Sequence, residues 1–231
     1  MLGIIGAMDE EVAKLKETMQ DVTVETKASM EFYKGTMNGK EVVVVRSGIG
    51  KVNAGICTQI LCDLYHVDAV INTGIAGSLN AKIDIGDIVL STDALQHDMD
   101  ATGFGYEPAE IPLMGKKTFE ADASLRSLIA ETCREVNPEI GVFEGRVVSG
   151  DQFISDGDVK DRLVRMFAPY CTEMEGAEIA QSAWLNKIPF VIIRAISDKA
   201  DGSAHMDYSE FEAKAIEHTV RLVEAAAAKL A

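Results

Sequence analysis

The residues of this chain best suited to chemistry are acids at the ends of apolar runs. Glu10 and Glu11 follow "LGIIGAM", Glu173 and Glu175 flank Met174 in "TEMEG", and Ser197 and Asp198 close "FVIIRAIS", a run that Arg194 interrupts. Carboxylates accept hydrogen bonds and, gathered as a set, can move protons. In open α/β sheets ligands collect at the carboxyl ends of strands, so three such ends can converge on one cleft. Taken singly, each acid also has a plainer reading: Glu10 or Glu11 favours a helix N-terminus, and Asp198 caps a turn. Arg194 needs a partner or solvent, because an unpaired charge is costly in a buried strand.

The scaffold that must position these acids reads as α/β, with strand-like and helix-like segments alternating through most of the chain. "LGIIGAM" leads into a helix "DEEVAKLKETMQ", and a hairpin follows, with "MEFYKGTM" and "KEVVVVRS" flanking Asn38-Gly39. A helix "GKVNAGICTQILCDLY" and the strands "DAVINTGIA" and "GDIVLSTDALQHD" come next. Residues 99–118, rich in Gly and Pro and without a clear period, read as a long loop of the kind that forms a lid, a partner contact or a tolerated insertion. The second half supplies the helix "ADASLRSLIAETCREV", the strand "GVFEGRVVSGD", a short helix near 158–166, then "YCTEMEG", the helix "AEIAQSAWLN" and the strand 190–196. Asp207 and Glu210 form a capping box for a closing helix. No repeat or linker divides the sequence, so residues 1–231 are expected to form a single domain around a mixed central β-sheet flanked by helices.

Composition narrows the function. The 231 residues are 47% hydrophobic and carry a formal charge of −15, which argues against a nucleic-acid backbone as partner. "GIIGAM" and "SGIGKVNAG" both miss the dinucleotide spacing, and "SGIGKV" fails as a P-loop because Val45 and Val52 stand at its required positions. Cys57, Cys62, Cys133 and Cys171 lack zinc-ligand spacing and read as reduced, mostly buried thiols; no metal and no cofactor is expected. His66, His97, His205 and His218 read as surface or loop positions. With no export signal and no apolar run of membrane-spanning length, a cytoplasmic protein is the expectation.

Six blocks, "GIIGAMDEEV", "SGIGKVNAG", "NTGIAGSL", "VSGDQFI", "TEMEGAEIA" and "VIIRAISDKAD", together resemble the 5′-methylthioadenosine/S-adenosylhomocysteine nucleosidases of the purine nucleoside phosphorylase superfamily. The blocks run from residue 3 to residue 201 in family order. The resemblance implies a nucleoside phosphorylase/hydrolase-like fold and hydrolysis of the N-glycosidic bond of a 5′-substituted adenosine, in methionine salvage and S-adenosylmethionine recycling. Such a reaction passes through an oxocarbenium-like sugar and needs an acid for the leaving base and a base for water. By similarity Asp198 is the acid, protonating N7 of adenine, Ser197 orients it, and Glu11 activates the water. An acid in that role must hold a proton near neutral pH, which burial and neighbouring acids favour.

The resemblance also assigns the binding residues. Glu175 accepts hydrogen bonds from the ribose hydroxyls, Met174 packs on the sugar, and Arg194 lies near Glu175 to hold it ionised and oriented. Adenine lies against Phe153, with backbone groups of Phe153 and Ile154 reading its edge. Met8, Ile49, Phe104 and Tyr208 form the apolar wall around the ribose and the 5′-alkylthio group, and Glu173 and Gly77 complete the set. Ile75 and Ser78 depart from some relatives, which carry Ser and Gly there. Family members are homodimers, which implies that the 99–118 loop helps complete the neighbouring site. A phosphate-dependent nucleoside phosphorylase is the closest alternative, but the glycine-rich blocks carry no Arg and Glu11 would repel the anion; Arg46 is the one cation placed to face the site. An aminodeoxyfutalosine nucleosidase of menaquinone synthesis shares the same base and ribose, and a non-catalytic nucleoside-binding domain would be expected to lack one of the three acids.

Overall fold

Runs that are apolar at every position, such as Val42 to Val45, form strands buried on both faces. A computed structural model describes residues 1–202 and 204–231, with 205–210 described without their side chains. In chain order it contains β1 (Leu2–Gly6), α1 (Asp9–Glu17), β2 (Gln20–Lys27), β3 (Met30–Met37), β4 (Lys40–Arg46), α2 (Lys51–Tyr65) and β5 (Ala69–Ser78). Then follow β6 (Ile88–Gln96), β7 (Phe119–Glu120), α3 (Ala123–Val136), β8 (Val142–Ser149), α4 (Gly157–Phe167), β9 (Cys171–Glu173), α5 (Gly176–Leu185), β10 (Phe190–Asp198) and α6 (Ala204–Lys229). The mixed α/β architecture expected from the alternation is the one observed.

Side-chain parity splits the core into two layers. Val42 and Val44 pack on one face of the sheet with residues of α1, α3 and α6, whereas Val43 and Val45 pack on the other with residues of α2 and α5. On β10 the same alternation sends Val191, Ile193 and Ala195 one way and Phe190, Ile192 and Ile196 the other. Arg194 falls in the second register, between Ile192 and Ile196, so its side chain starts toward the layer of α2 and α5.

β5 is the organising strand. It pairs in parallel with β1 through Asn72 and with β10 from Val70 to Gly77, and at its far end with antiparallel β9 through Gly77 and Ser78. From β10 the ladder continues to β6, β8 and β9, which returns to β5, so these five strands close on themselves. Beyond β1 the sheet extends through β4, β3 and β2. The β3–β4 hairpin turns at Asn38 and Gly39, whose φ values of 49° and 85° are those a tight hairpin turn requires.

Two local expectations are corrected, and one strand appears that the sequence reading left unassigned. Residues 20–27 form the edge strand β2, held by its ladder to β3 and exposed along its whole length. Helix α6 begins at Ala204, so Asp207 stands inside the helix and not at its N-cap. His218 is buried, with Nδ1 2.9 Å from the Gly86 carbonyl. Among the cysteines, Cys57, Cys133 and Cys171 are buried and all four are free thiols.

Closure of the ring demands a close approach between β8 and the start of β9. A Cβ on Gly145 would lie 2.3 Å from the ring of Tyr170, whose N–H donates to the Arg146 carbonyl at 2.8 Å. Gly145→Ala is therefore expected to lower stability by about 1–3 kcal/mol through overpacking. Thermal unfolding checks this; an unchanged melting temperature would mean that Tyr170 can be displaced freely.

Candidate active site

The carboxyl ends of β1, β5 and β10 open on one cavity of about 420 Å³, a volume suited to a small organic ligand. It is lined by Met8, Glu11, Ile49, Ile75, Gly77, Phe153, Met174, Glu175, Ser197 and Asp198, among others. The three acids that stood 187 residues apart in sequence, from Glu11 to Asp198, thus share one wall.

Glu11 reaches its place because α1 starts directly after β1. As the third residue of that helix it folds back, and Oε2 accepts from the N–H groups of Ala7 at 2.7 Å and Met8 at 3.0 Å. Its other oxygen accepts from the Ile75 N–H at 3.2 Å. On that edge of β5, pairing with β1 stops at Asn72 and pairing with β9 starts at Gly77, and the carboxylate fills the interval. Only glycine suits position 74, where a Cβ would meet Glu11 Oε1 at 2.4 Å and Arg194 Nη1 at 3.2 Å. Burial raises the Glu11 pKa above the usual carboxylate range, against the opposing pull of Arg194 and the three backbone donors.

Arg194 is 2% exposed and lies across Gly74. Its guanidinium bonds Glu173, the Asn72 side chain at 2.6 Å and the Ile193 carbonyl at 3.1 Å. The direct partner is Glu173, which corrects the expected pairing with Glu175. Glu173 is itself tied down: it accepts from Gly176 N–H at 2.7 Å and Glu175 N–H at 3.2 Å, at the start of α5, and from the Ser149 hydroxyl. Glu175 instead accepts from the Gly50 N–H at 2.9 Å. Burial and then the Glu173 charge push its pKa up to about 8, while Arg194 and the Gly50 donor pull the other way.

Asp198 ends β10 and is 2% exposed. Ser197 Oγ donates to its Oδ2 at 2.9 Å, as expected, and the Ala200 N–H donates to Oδ1 at 2.7 Å. Gly77 gives this carboxyl room, since a Cβ there would come within 2.7 Å of Oδ1. Phe153 and Ile49 present half-exposed apolar surface to the cavity, while Ile154 is buried and lines a smaller recess beside Phe153 and Asp198.

One expected wall residue is not brought here. Phe104 sits in a single 3-10 turn of the 99–118 loop, 89% exposed and away from this cavity. The side chain of Tyr208 lies outside the described residues. Arg46 does not line the cavity either; its Nε pairs with Asp9 at 3.1 Å at the surface. The sequence reading missed Asn72, Ser149 and Gly50, which hold Arg194, Glu173 and Glu175 in place. Polar residues inside otherwise apolar strands, as in "VINTG" and "RVVSGD", were the available signal for the first two.

One further acid was missed. Glu178, on the first turn of α5, is 7% exposed, and neither carboxyl oxygen has a hydrogen-bond partner among the described residues. Burial, then the Glu173 charge, push its pKa up to about 9. A carboxyl whose folded-state pKa is raised stabilises the fold below its unfolded pKa and loses that contribution as pH rises toward about 9. Glu178→Gln is therefore expected to match wild type at and below pH 4.5, and to gain over it by up to about 1.4 kcal/mol per pH unit from there to about 9. Parallel melting curves for the two proteins across pH would refute this.

The geometry has close counterparts. The Phosphorylase superfamily profile matches residues 1–228. The 5′-methylthioadenosine/S-adenosylhomocysteine nucleosidase of Halalkalibacterium halodurans is 43% identical over 99% of this chain and 98% of its own length. The crystal structure of the nucleosidase of that name from Neisseria meningitidis, in complex with methylthio-immucillin-A, superimposes with a TM-score of 0.94 at 34% identity, covering 99% of this chain and 98% of that one. A futalosine hydrolase structure from Helicobacter pylori gives 0.92 at 32% identity, covering 97% and 96%.

Proposed function

Because this chain belongs to the 5′-methylthioadenosine/S-adenosylhomocysteine nucleosidases, within the phosphorylase superfamily, we propose that its cavity hydrolyses those two nucleosides. The chain is an N-glycosyl hydrolase that releases adenine and the 5′-substituted ribose. The observation that carries the mechanism is the placement of Asp198 and Glu11 in one cavity with Glu175 on its lining.

In the proposed reaction the bond between the anomeric carbon and N9 of adenine breaks with its electron pair moving into the base. Asp198 gives a proton to N7, which neutralises that charge, and Ser197 holds the carboxyl in line. Water adds to the oxocarbenium-like carbon and passes a proton to Glu11, so one water is consumed and no charge accumulates. Three backbone N–H groups aim the Glu11 carboxylate before substrate arrives, and its raised pKa suits a base that must take a proton. Glu175, oriented by Gly50, accepts from the ribose hydroxyls; Met174, Met8 and Ile49 pack on the sugar and 5′ group; Phe153 faces the base, with Ile154 beside it. Glu173 and Arg194 support this set from beneath, Arg194 through Glu173 and the Glu11 field.

Two features favour water over phosphate as nucleophile. Among the described residues no arginine lines the cavity, and Arg194 behind it is spent on Glu173 and Asn72; the lining also carries Glu11, which repels an anion. The futalosine reading shares base and ribose, and only the 5′ wall separates it from the main one. We place the activity in methionine salvage and S-adenosylmethionine recycling, with 5′-deoxyadenosine as a further substrate. The whole of 1–231 is read as one nucleosidase domain, and its four free thiols suit the reducing cytoplasm.

Adenine release from methylthioadenosine in phosphate-free buffer is the test. Wild type is expected to turn over without phosphate, and Asp198→Asn and Glu11→Gln each to lose about 10²–10⁴-fold in kcat. A requirement for phosphate would refute the hydrolase reading, and full activity in either variant would remove that residue from its role.

Phe104 and Leu113 on the 99–118 loop and Ile49, Val52 and Ile56 near the start of α2 are exposed, and Ile49 also lines the cavity. Apolar surface of this kind marks a protein contact, and we read it as a homodimer face through which a partner's loop approaches the 5′ end of the site. Sedimentation is expected to give twice the chain mass of 25.0 kDa; a fully active monomer would refute it.

A further inference from the structure

Three loops, two of which line the cavity at Ile49 and Phe153, meet in a closed ring of hydrogen bonds away from the reacting groups. Helix α2 has Gly50 at its N-cap, with no side chain to satisfy the first N–H groups. The cap comes instead from another loop: Asp151 Oδ1 accepts from the Lys51 N–H at 2.9 Å. Asp151 in turn donates its own N–H to Asp98 Oδ2 at 3.0 Å, and Asp98 Oδ1 accepts from Lys51 Nζ at 2.7 Å. The ammonium also reaches Gln96 Oε1 at 3.4 Å, which keeps it over the end of β6.

Two members of the ring stand close to substrate-facing groups, and Asp98 joins them. Lys51 follows Gly50, whose N–H orients Glu175. Asp151 precedes Phe153 by two residues, in a stretch, 150–156, that has no helix or strand of its own. Gly50 has φ 96°, and a Cβ there would fall 3.0 Å from Asp151 Oδ1, so the two loops touch at the point where one of them also grips Glu175. The Lys51–Asp98 pair is partly buried, with side-chain exposures of 21% and 17%, and is shielded from solvent more than a surface ion pair is. Against its burial, Lys51 and the Asp151 N–H hold the Asp98 carboxyl below its ordinary range.

We propose that Lys51, Asp98 and Asp151 are positioning residues that fix the distance between the base platform at Phe153 and the ribose carboxylate Glu175. The inference rests on the nucleosidase reading above. The ring touches neither the leaving base nor the attacking water. Its contribution is the same in the bound substrate and in the transition state, and it acts on KM more than on kcat. Three bonds that depend on one another also make the losses non-additive, because opening the ring once frees both loops.

The test is steady-state kinetics on methylthioadenosine, in phosphate-free buffer, for Asp98→Asn, Asp151→Ala, Lys51→Met, Lys51→Arg and the double variant Asp98→Asn/Asp151→Ala. Melting temperatures are measured beside them, and Asp98→Asn keeps side-chain shape, so one folded variant is assured of a reading. KM is expected to rise about tenfold in the three disrupting single variants with kcat within about threefold of wild type, Lys51→Arg to restore most of the loss, and the double variant to cost no more than the worse single one. Folded variants with wild-type KM, a fall in kcat at unchanged KM, or a double variant that loses the product of the singles would each overturn the ring. Wild-type turnover in the same buffer separates the two readings: its absence refutes the hydrolase, whereas its presence with unshifted KM values refutes only the ring.

Discussion

A buried guanidinium sets the terms for everything around it. Arg194 lies in the middle of a strand with almost no solvent contact, and the carboxylates that answer its charge, Glu173, Glu11 and Glu175, are buried too. One cation cannot balance three anions in a poorly solvated space, and an ion pair taken out of water repays its desolvation only when geometry and further hydrogen bonds are favourable. The site solves this unequally. Glu173 takes the direct contact along with two backbone donors and a hydroxyl, whereas Glu11 and Glu175 feel Arg194 at a distance and are pushed upward in pKa by burial. Carboxyl groups with raised pKa values, gathered in one cavity, are a recurring feature of acid and base catalysis.

The backbone does much of the aiming. Every site carboxyl accepts from main-chain N–H groups: Ala7, Met8 and Ile75 for Glu11, Gly176 and the Glu175 amide for Glu173, Gly50 for Glu175, and Ala200 for Asp198. These donors exist because strands end or change partners here, and a strand end leaves N–H groups without a ladder. The irregular edge of β5, passing from β1 to β9, thus makes both the gap and the means of filling it. Small residues keep the approach open, with Gly74 beneath Glu11 and Arg194 and Gly77 beside Asp198.

Such a site is preorganised on its floor and adaptable at its rim. The acids stand on strand ends and helix starts packed into two apolar layers, so they have little freedom to reorient. The apolar rim of the cavity comes from loops, at Phe153 and Ile49, with exposed side chains. That division suits an enzyme whose chemistry is constant and whose substrates differ at one end.

The sequence by itself determined the strands, the helices and the cast of acids. Continuous apolar runs, Asn38-Gly39 and helical spacing are local signals, and the strands and helices they announce are the ones observed; the six motif blocks named the family because short-range context carries them. It did not reveal β2, whose short Val22, Val24 alternation buries no face and which pairs only with the edge that β3 offers. Nor did it decide which acid Arg194 would meet. Glu173 and Glu175 are two residues apart and look alike in sequence, and the choice fell to the start of α5, which turns one toward Arg194 and the other toward Gly50. The orphan Glu178 and the ring through Lys51, Asp98 and Asp151 were equally invisible, since their members come from segments far apart in the chain. Local propensity acts over a few residues, while pairing, burial and charge balance depend on distances that only the folded chain establishes.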